Sequence, residues 1–234
     1  MDGTPLGRLF PPMFEPDSGR LPIVRDALGI AVASGAYAIA FGAISIAAGL
    51  SLAQTMVMSA VMFTGASQFA MVGVIGVGGS VWAGALTAVL LGTRNAFYGL
   101  RLASMLQVRG WRRPMAAQFV LDETTAMTIA RDDPRLGRFA FWATGIALFT
   151  LWSSGTLVGA LATEAISDPK VLGLDAAVPA AFLALLAPRL RSREPVTIAV
   201  AAAAIALVVL PFVPAGVPLL IVAVLAGLFG LVRR

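Results

Sequence analysis

The residues able to do chemistry fall at three places in an otherwise apolar chain. Thr64-Gly65-Ala66-Ser67-Gln68 is the most polar stretch of one long uncharged run, Arg94 and Asn95 interrupt the next apolar segment, and Asp122 and Glu123 stand side by side in another. Adjacent acids within apolar sequence suit a proton that is gained and lost; the other reading is that the pair faces cytosolic water or salt-bridges Arg112 or Arg113. An arginine is always charged and suits a carboxylate; the other role open to Arg94 is to snorkel, or to cap the carbonyls of its own helix. A glycine followed by a hydroxyl and an amide suits a helix start, with Ser67 as its cap, and a helix start attracts anions. Asp175 reads as a cap for the helix entering at Ala176. The chain has no histidine and no cysteine, which excludes thiolate and imidazole metal sites, Ser-His-Asp and Cys-His catalytic sets and disulfides. There is also no G-x-x-x-x-G-K-[ST] nucleotide loop. No enzyme activity, metal or cofactor is expected, which leaves binding and moving a solute.

The elements that must position these residues are membrane helices. Hydrophobic residues make up 59% of the 234 and charged ones 12%, with a mean hydropathy of +0.88; a soluble domain carries roughly 25% charge. From Ala27 to Thr93 no charged side chain occurs over 67 residues, a length of ~100 Å as helix against a hydrocarbon core of ~30 Å. The first span reads Ala27 to Ala48, with small residues Gly35, Ala38, Gly42, Ser45 and Gly49 on one narrow face for close helix packing. The second, Gln54 to Gly78, is expected to break at Gly65 and turn the N-terminus of its second half inward, an arrangement tolerated only where it is buried or lines a cavity. Met56, Met58, Met62, Phe63, Phe69 and Met71 are candidates for the wall of such a cavity.

Trp82 to Gly92 and Ala96 to Val108 are each too short to span, which predicts a re-entrant hairpin with Arg94 at its tip. Pro114 to Ala130 reads either as an interfacial amphipathic helix or as a second helix dipping into the core. Phe139 to Thr163 and Val171 to Pro188 are further spans, and Pro195 to Val232 is two short ones turning at Pro211, Pro214 and Pro218. The fold class is therefore an all-α polytopic integral membrane protein with about five full transmembrane helices plus broken or re-entrant ones. Polar entries at 64–68 and 174–179 point to an inverted repeat. Residues 1–26, rich in proline and charge, read as a disordered cytoplasmic tail, and 27–234 as the transmembrane transporter domain.

The net charge of +5 is an orientation signal and not a nucleic-acid footprint. Lys and Arg cluster as three in the tail, three at 109–113, three at 131–138, three at 189–193 and two at the C-terminus. With the hairpin reading, all clusters share one side, and both termini are expected in the cytoplasm of a multi-pass inner (plasma) membrane protein.

Several strings, in order, resemble the AzlC-type (azaleucine-resistance) branched-chain amino acid permease family. They are Ala40-Phe41-Gly42, Ala48-Gly49-Leu50-Ser51, Phe63-Thr64-Gly65-Ala66-Ser67-Gln68-Phe69-Ala70, Arg94-Asn95-Ala96-Phe97-Tyr98-Gly99, Leu121-Asp122-Glu123 and Gly173-Leu174-Asp175-Ala176-Ala177-Val178-Pro179. The resemblance implies export of valine, leucine, isoleucine and related methionine with a small AzlD-type membrane subunit, and it leaves higher oligomers open. Three positions depart from the pattern: Gly92 where an Asn is expected, Asn95 where a His is common, and Arg101 at a normally uncharged place. Gly65, Ala66, Ser67, Gln68, Arg94, Asn95 and Tyr98 are the expected substrate-binding residues, and Asp122 and Glu123 the expected proton carriers. A proton-driven transporter and a passive channel gated by a partner, or a transporter subunit for another small solute, remain the two readings; saturable flux competed by leucine belongs to the first.

Overall fold

The computed structural model describes residues 19–165 and 190–213, with residues 183, 186–187, 217–218, 221–222 and 224–226. Every element among them is helical: α1 (Arg20–Ala47), α2 (Leu52–Val61), α3 (Ala66–Gly76), α4 (Val81–Leu106), α5 (Arg112–Gln118), α6 (Asp122–Ile129), α7 (Pro134–Glu164) and α8 (Arg193–Val209), the last continued by a 3-10 turn at Leu210–Phe212. Arg20–Ala47, Pro134–Glu164 and Arg193–Phe212 are each long and apolar enough to cross a membrane, as a polytopic membrane protein requires. Polar side chains start several of the helices. Ser51 and Gln54 form a reciprocal capping box at α2, Ser80 accepts the Ala83 N–H at α4, and Asp133 accepts the Arg135 N–H ahead of Pro134 at α7. The α8 helix ends where Pro211 can no longer donate.

The bundle is built on α1 and α7, which touch through their backbones. Gly35 faces Leu151, Gly42 faces Thr156 and Ala160, and Gly155 and Gly159 face the carbonyls of Gly35 and Ile39. Four of the five small residues expected on one face of α1 are buried; Gly49 instead lies past the helix end, in a turn with φ +92°. Contact numbers rise together along both helices, from Gly19 against Leu136 to Ile39 against Gly159, so α1 and α7 run parallel. Parallel spans in one chain need an odd number of crossings between them, and α4 provides one: α2 starts and α3 ends beside the end of α1, where Gly76 meets Ala48, and α5–α6 returns to the end it left, where Thr128 faces Gly137. The starts of α1 and α7 are further joined by Asp26–Arg131 at 3.2 Å and by Arg20 over the Phe139 ring at 5.0 Å.

Two expectations are corrected here. The stretch from Trp82 to Val108 is not a hairpin with Arg94 at its tip: α4 is one helix of 26 residues, ~39 Å long and sufficient for a full crossing. Leu106 at the end of α4 packs with Phe141 near the start of α7, so the Arg109–Arg113 cluster lies at the same end of the bundle as the 131–138 cluster and the start of α1. Residues 20–26, expected in the tail, already belong to α1. Pro114 to Ala130 is the broken core helix α5–α6 and not an interfacial one, since Thr124, Thr125, Met127 and Thr128 are buried. The expected span at 171–188, the Asp175 cap and the polar entry at 174–179 lie outside the described residues.

The α1/α7 contact yields a direct test. A methyl at Gly159 would overlap the Ile39 carbonyl, whereas one at Gly29 meets nothing within 4 Å. Gly159→Ala is expected to lower stability by ~1–3 kcal/mol, read as a lower Tm in detergent, and Gly29→Ala to leave it unchanged.

Candidate functional site

The break at Gly65 is present. After Val61 the chain leaves the helix, and Gly65 adopts φ 50° and ψ −85°, a conformation that L side chains rarely take. The Trp152 ring packs 3.6 Å from where a Cβ on Gly65 would sit. The cap is not Ser67 as expected. Gly65 occupies the cap position, and Ser67 lies inside the first turn of α3 with no capping bond. The N–H groups of Ala66, Ser67 and Gln68 then have no partner within α3, whose first helical bond is Phe69 N–H to the Gly65 carbonyl.

A second break, at Phe119–Leu121, was not foreseen. It lacks glycine and proline, and is held by Thr124, whose hydroxyl accepts the Leu121 N–H at 3.0 Å and donates to the Phe119 carbonyl at 2.6 Å. The two breaks touch. Gln118 Nε2 donates to the Ala60 carbonyl at 2.6 Å and the Val61 carbonyl at 3.3 Å, and the Phe63 and Phe119 rings meet edge to face. Gln68, fully buried, donates to the Met58 carbonyl at 3.0 Å. Thr124 and Gln118 are the residues that sequence reasoning missed. Their signal was a hydroxyl three residues after an apolar step, and an amide just before it.

Beside the first break lies a cleft of about 390 Å³, lined by Val61, Met62, Thr64 and Ser67 on one side and Ala88, Val89, Gly92 and Thr93 of α4 on the other. Its floor is buried, with Ser67 2% exposed. Its rim is open, with Val61 at 72% and Val89 at 62%. Thr64 Oγ1 is buried without a hydrogen-bond partner. Polar atoms and a helix start thus meet an apolar wall, the usual make-up of a small-molecule site.

The expected site residues divide. Gly65 and Ala66 form the break and Ser67 the floor of the cleft, whereas Gln68 turns away to Met58. Asp122, for which Arg112 or Arg113 was the alternative partner, pairs with Arg94, Nη1 to Oδ2 at 2.9 Å, both about a third exposed at 31% and 32%. Asn95 is half-buried, its Oδ1 without a partner. Tyr98 packs apart from the cleft, against the cluster of Leu102, Leu106, Ala116, Val120 and Phe141. Asp122 and Glu123 occupy the first turn of α6, where the helix dipole favours acids. Of the candidate wall residues, Met62 lines the cleft, and Met58, Phe63 and Phe69 belong to the core.

The AzlC protein family model matches residues 29–166, which hold both breaks and the cleft. The chain belongs to the AzlC family. A curated relative, inner membrane protein YgaZ of Escherichia coli (strain K12), is 30% identical over 214 residues, covering 87% of this chain and 84% of the relative. No solved structure matches. AzlC membership and a relative in the inner membrane support a membrane transporter, in keeping with the spans seen here.

The contact between the breaks can be tested. Gln118→Ala leaves the Ala60 carbonyl without its side-chain donor, and is expected to cost ~1–3 kcal/mol, measured as a Tm decrease in detergent.

Proposed function

We propose that the protein is a secondary transporter that exports the branched-chain amino acids valine, leucine and isoleucine, with methionine as a related substrate, together with a small AzlD-type subunit. No covalent bond is made or broken. The observation that carries the reading is the start of α3 opening beside a cleft whose floor is the buried Ser67. A helix start with unpaired N–H groups suits a carboxylate, and discontinuous helices in transporters present such ends to anionic groups. Val61, Met62, Ala88 and Val89 supply the apolar wall for a branched side chain.

The Arg94–Asp122 pair is the coupling device in this reading. A proton on Asp122 removes the charge that holds Arg94, and Arg94, two residues beyond Gly92 on α4, is then available to a substrate carboxylate. Glu123, the next residue, is the second acid in the relay. The start of α1, the 109–113 cluster and the 131–138 cluster lie at one end of the bundle, so we place the N-terminus in the cytoplasm.

The test is efflux of labelled leucine, valine and methionine from preloaded cells, with and without the small subunit, at two external pH values. Saturable efflux that is faster at acid external pH is expected. Unsaturable flux without competition would establish a passive channel instead, and absence of efflux would remove amino acids as the cargo. Asp122→Asn is expected to abolish the pH dependence; unchanged pH dependence in Asp122→Asn combined with Glu123→Gln would end the proton role of the pair.

A further inference from the structure

Most glycines in or capping the described helices have a visible reason to be glycine. Those between α1 and α7 admit a backbone carbonyl, Gly84 has the Met71 carbonyl and side chain at 3.1–3.2 Å from a would-be Cβ, and Gly65 needs its positive φ. Gly92 has none of these reasons. It lies inside α4 without a positive φ, and a Cβ there would meet a single atom within 4 Å, Ser67 Oγ at 3.6 Å. Glycine within a helix is unfavourable relative to alanine, so packing and conformation both leave the position unexplained. What the missing side chain provides is space, and that space belongs to the cleft.

We infer that Gly92 is the specificity-determining residue of the cleft: by carrying no side chain beside the buried Ser67 it sets the bulk of the solute that fits between α3 and α4. The inference rests on the cleft being the solute site proposed above. A methyl at position 92 would lie 3.6 Å from Ser67 Oγ, and a leucine side chain would take up more of the cleft that Gly92 lines. Larger residues therefore restrict the site to solutes of smaller side chain, while the break and its hydrogen bonds, made by Gln68 and Gln118, are untouched.

The chain has no cysteine, so Ser67→Cys places one thiol on the cleft floor, and Thr93→Cys one on its exposed rim. Their reaction with a small charged methanethiosulfonate is followed in membranes for chains carrying Gly92, Gly92→Ala and Gly92→Leu. The expected result is that the floor thiol reacts in the Gly92 chain, more slowly with alanine and at least tenfold more slowly with leucine, while the rim thiol changes less than twofold. A floor thiol that Gly92→Leu does not protect, or one unreactive in the Gly92 chain while the rim thiol reacts, would overturn the inference. Gly92→Ala is also expected to keep or raise the Tm, whereas a packing glycine would lower it. In the efflux assay Gly92→Ala should move the leucine-to-valine ratio at least threefold toward valine. An unchanged ratio with leucine exported overturns the assignment of Gly92. If the chain exports no amino acid at all, the proposed cargo fails, and the thiol measurement still decides whether Gly92 controls the floor.

Discussion

A helix interrupted at membrane depth leaves carbonyls and N–H groups where no water is available, and each one left unmatched costs several kcal/mol. At the first break this debt falls on the end of α2, where the Met62 N–H still reaches the Met58 carbonyl and two glutamines add donors. Gln68 reaches back from α3 to Met58, and Gln118 reaches across from α5 to Ala60 and Val61. The second donor belongs to the other interrupted helix, whose own gap is bridged by the Thr124 hydroxyl. The two gaps are thereby fixed to each other, and the cleft between α3 and α4 inherits its position from them.

Charge is handled in the same economical way. Arg94 sits in the middle of a long, largely apolar helix, where an isolated guanidinium would be costly. Its partner is Asp122, at the start of α6, 28 positions on in the chain. The helix start favours the acid, the acid neutralises the arginine, and α4 stays whole. In water a pair exposed to this degree is worth about 0–1 kcal/mol; its value here is that it permits a charge at that depth.

The membrane class, the long spans α1 and α7 and the break at Gly65 were legible in the sequence, because hydrophobic length and a glycine inside a polar step are local signals. The integrity of α4 was not, because Thr93-Arg94-Asn95 looks like a polar tip until Asp122 is known to face it. The second break was hidden for the converse reason: Phe119-Val120-Leu121 carries no glycine or proline, and only the reach of Thr124 makes the interruption tolerable. At the site, Ser67 was found by its neighbours in sequence but is not the cap, since Gly65 takes the cap position with a backbone angle that L side chains rarely adopt. Gln68 was assigned to the solute by its polarity; the partner of its Nε2 in α2 is a main-chain atom with no identity in the sequence.

The glycines between α1 and α7 are matched to individual carbonyls, Gly42 to Thr156, Gly155 to Gly35 and Gly159 to Ile39. Such notches index the two helices like the teeth of a key. A slide by one residue would bring a side chain to each carbonyl in place of a hydrogen atom, so the pair is locked along its axis and acts as a stator. In the transport cycle proposed above, access to the cleft would change by rotation or hinging of the short half-helices against this fixed post, since an elevator-like translation of α1 past α7 is sterically barred.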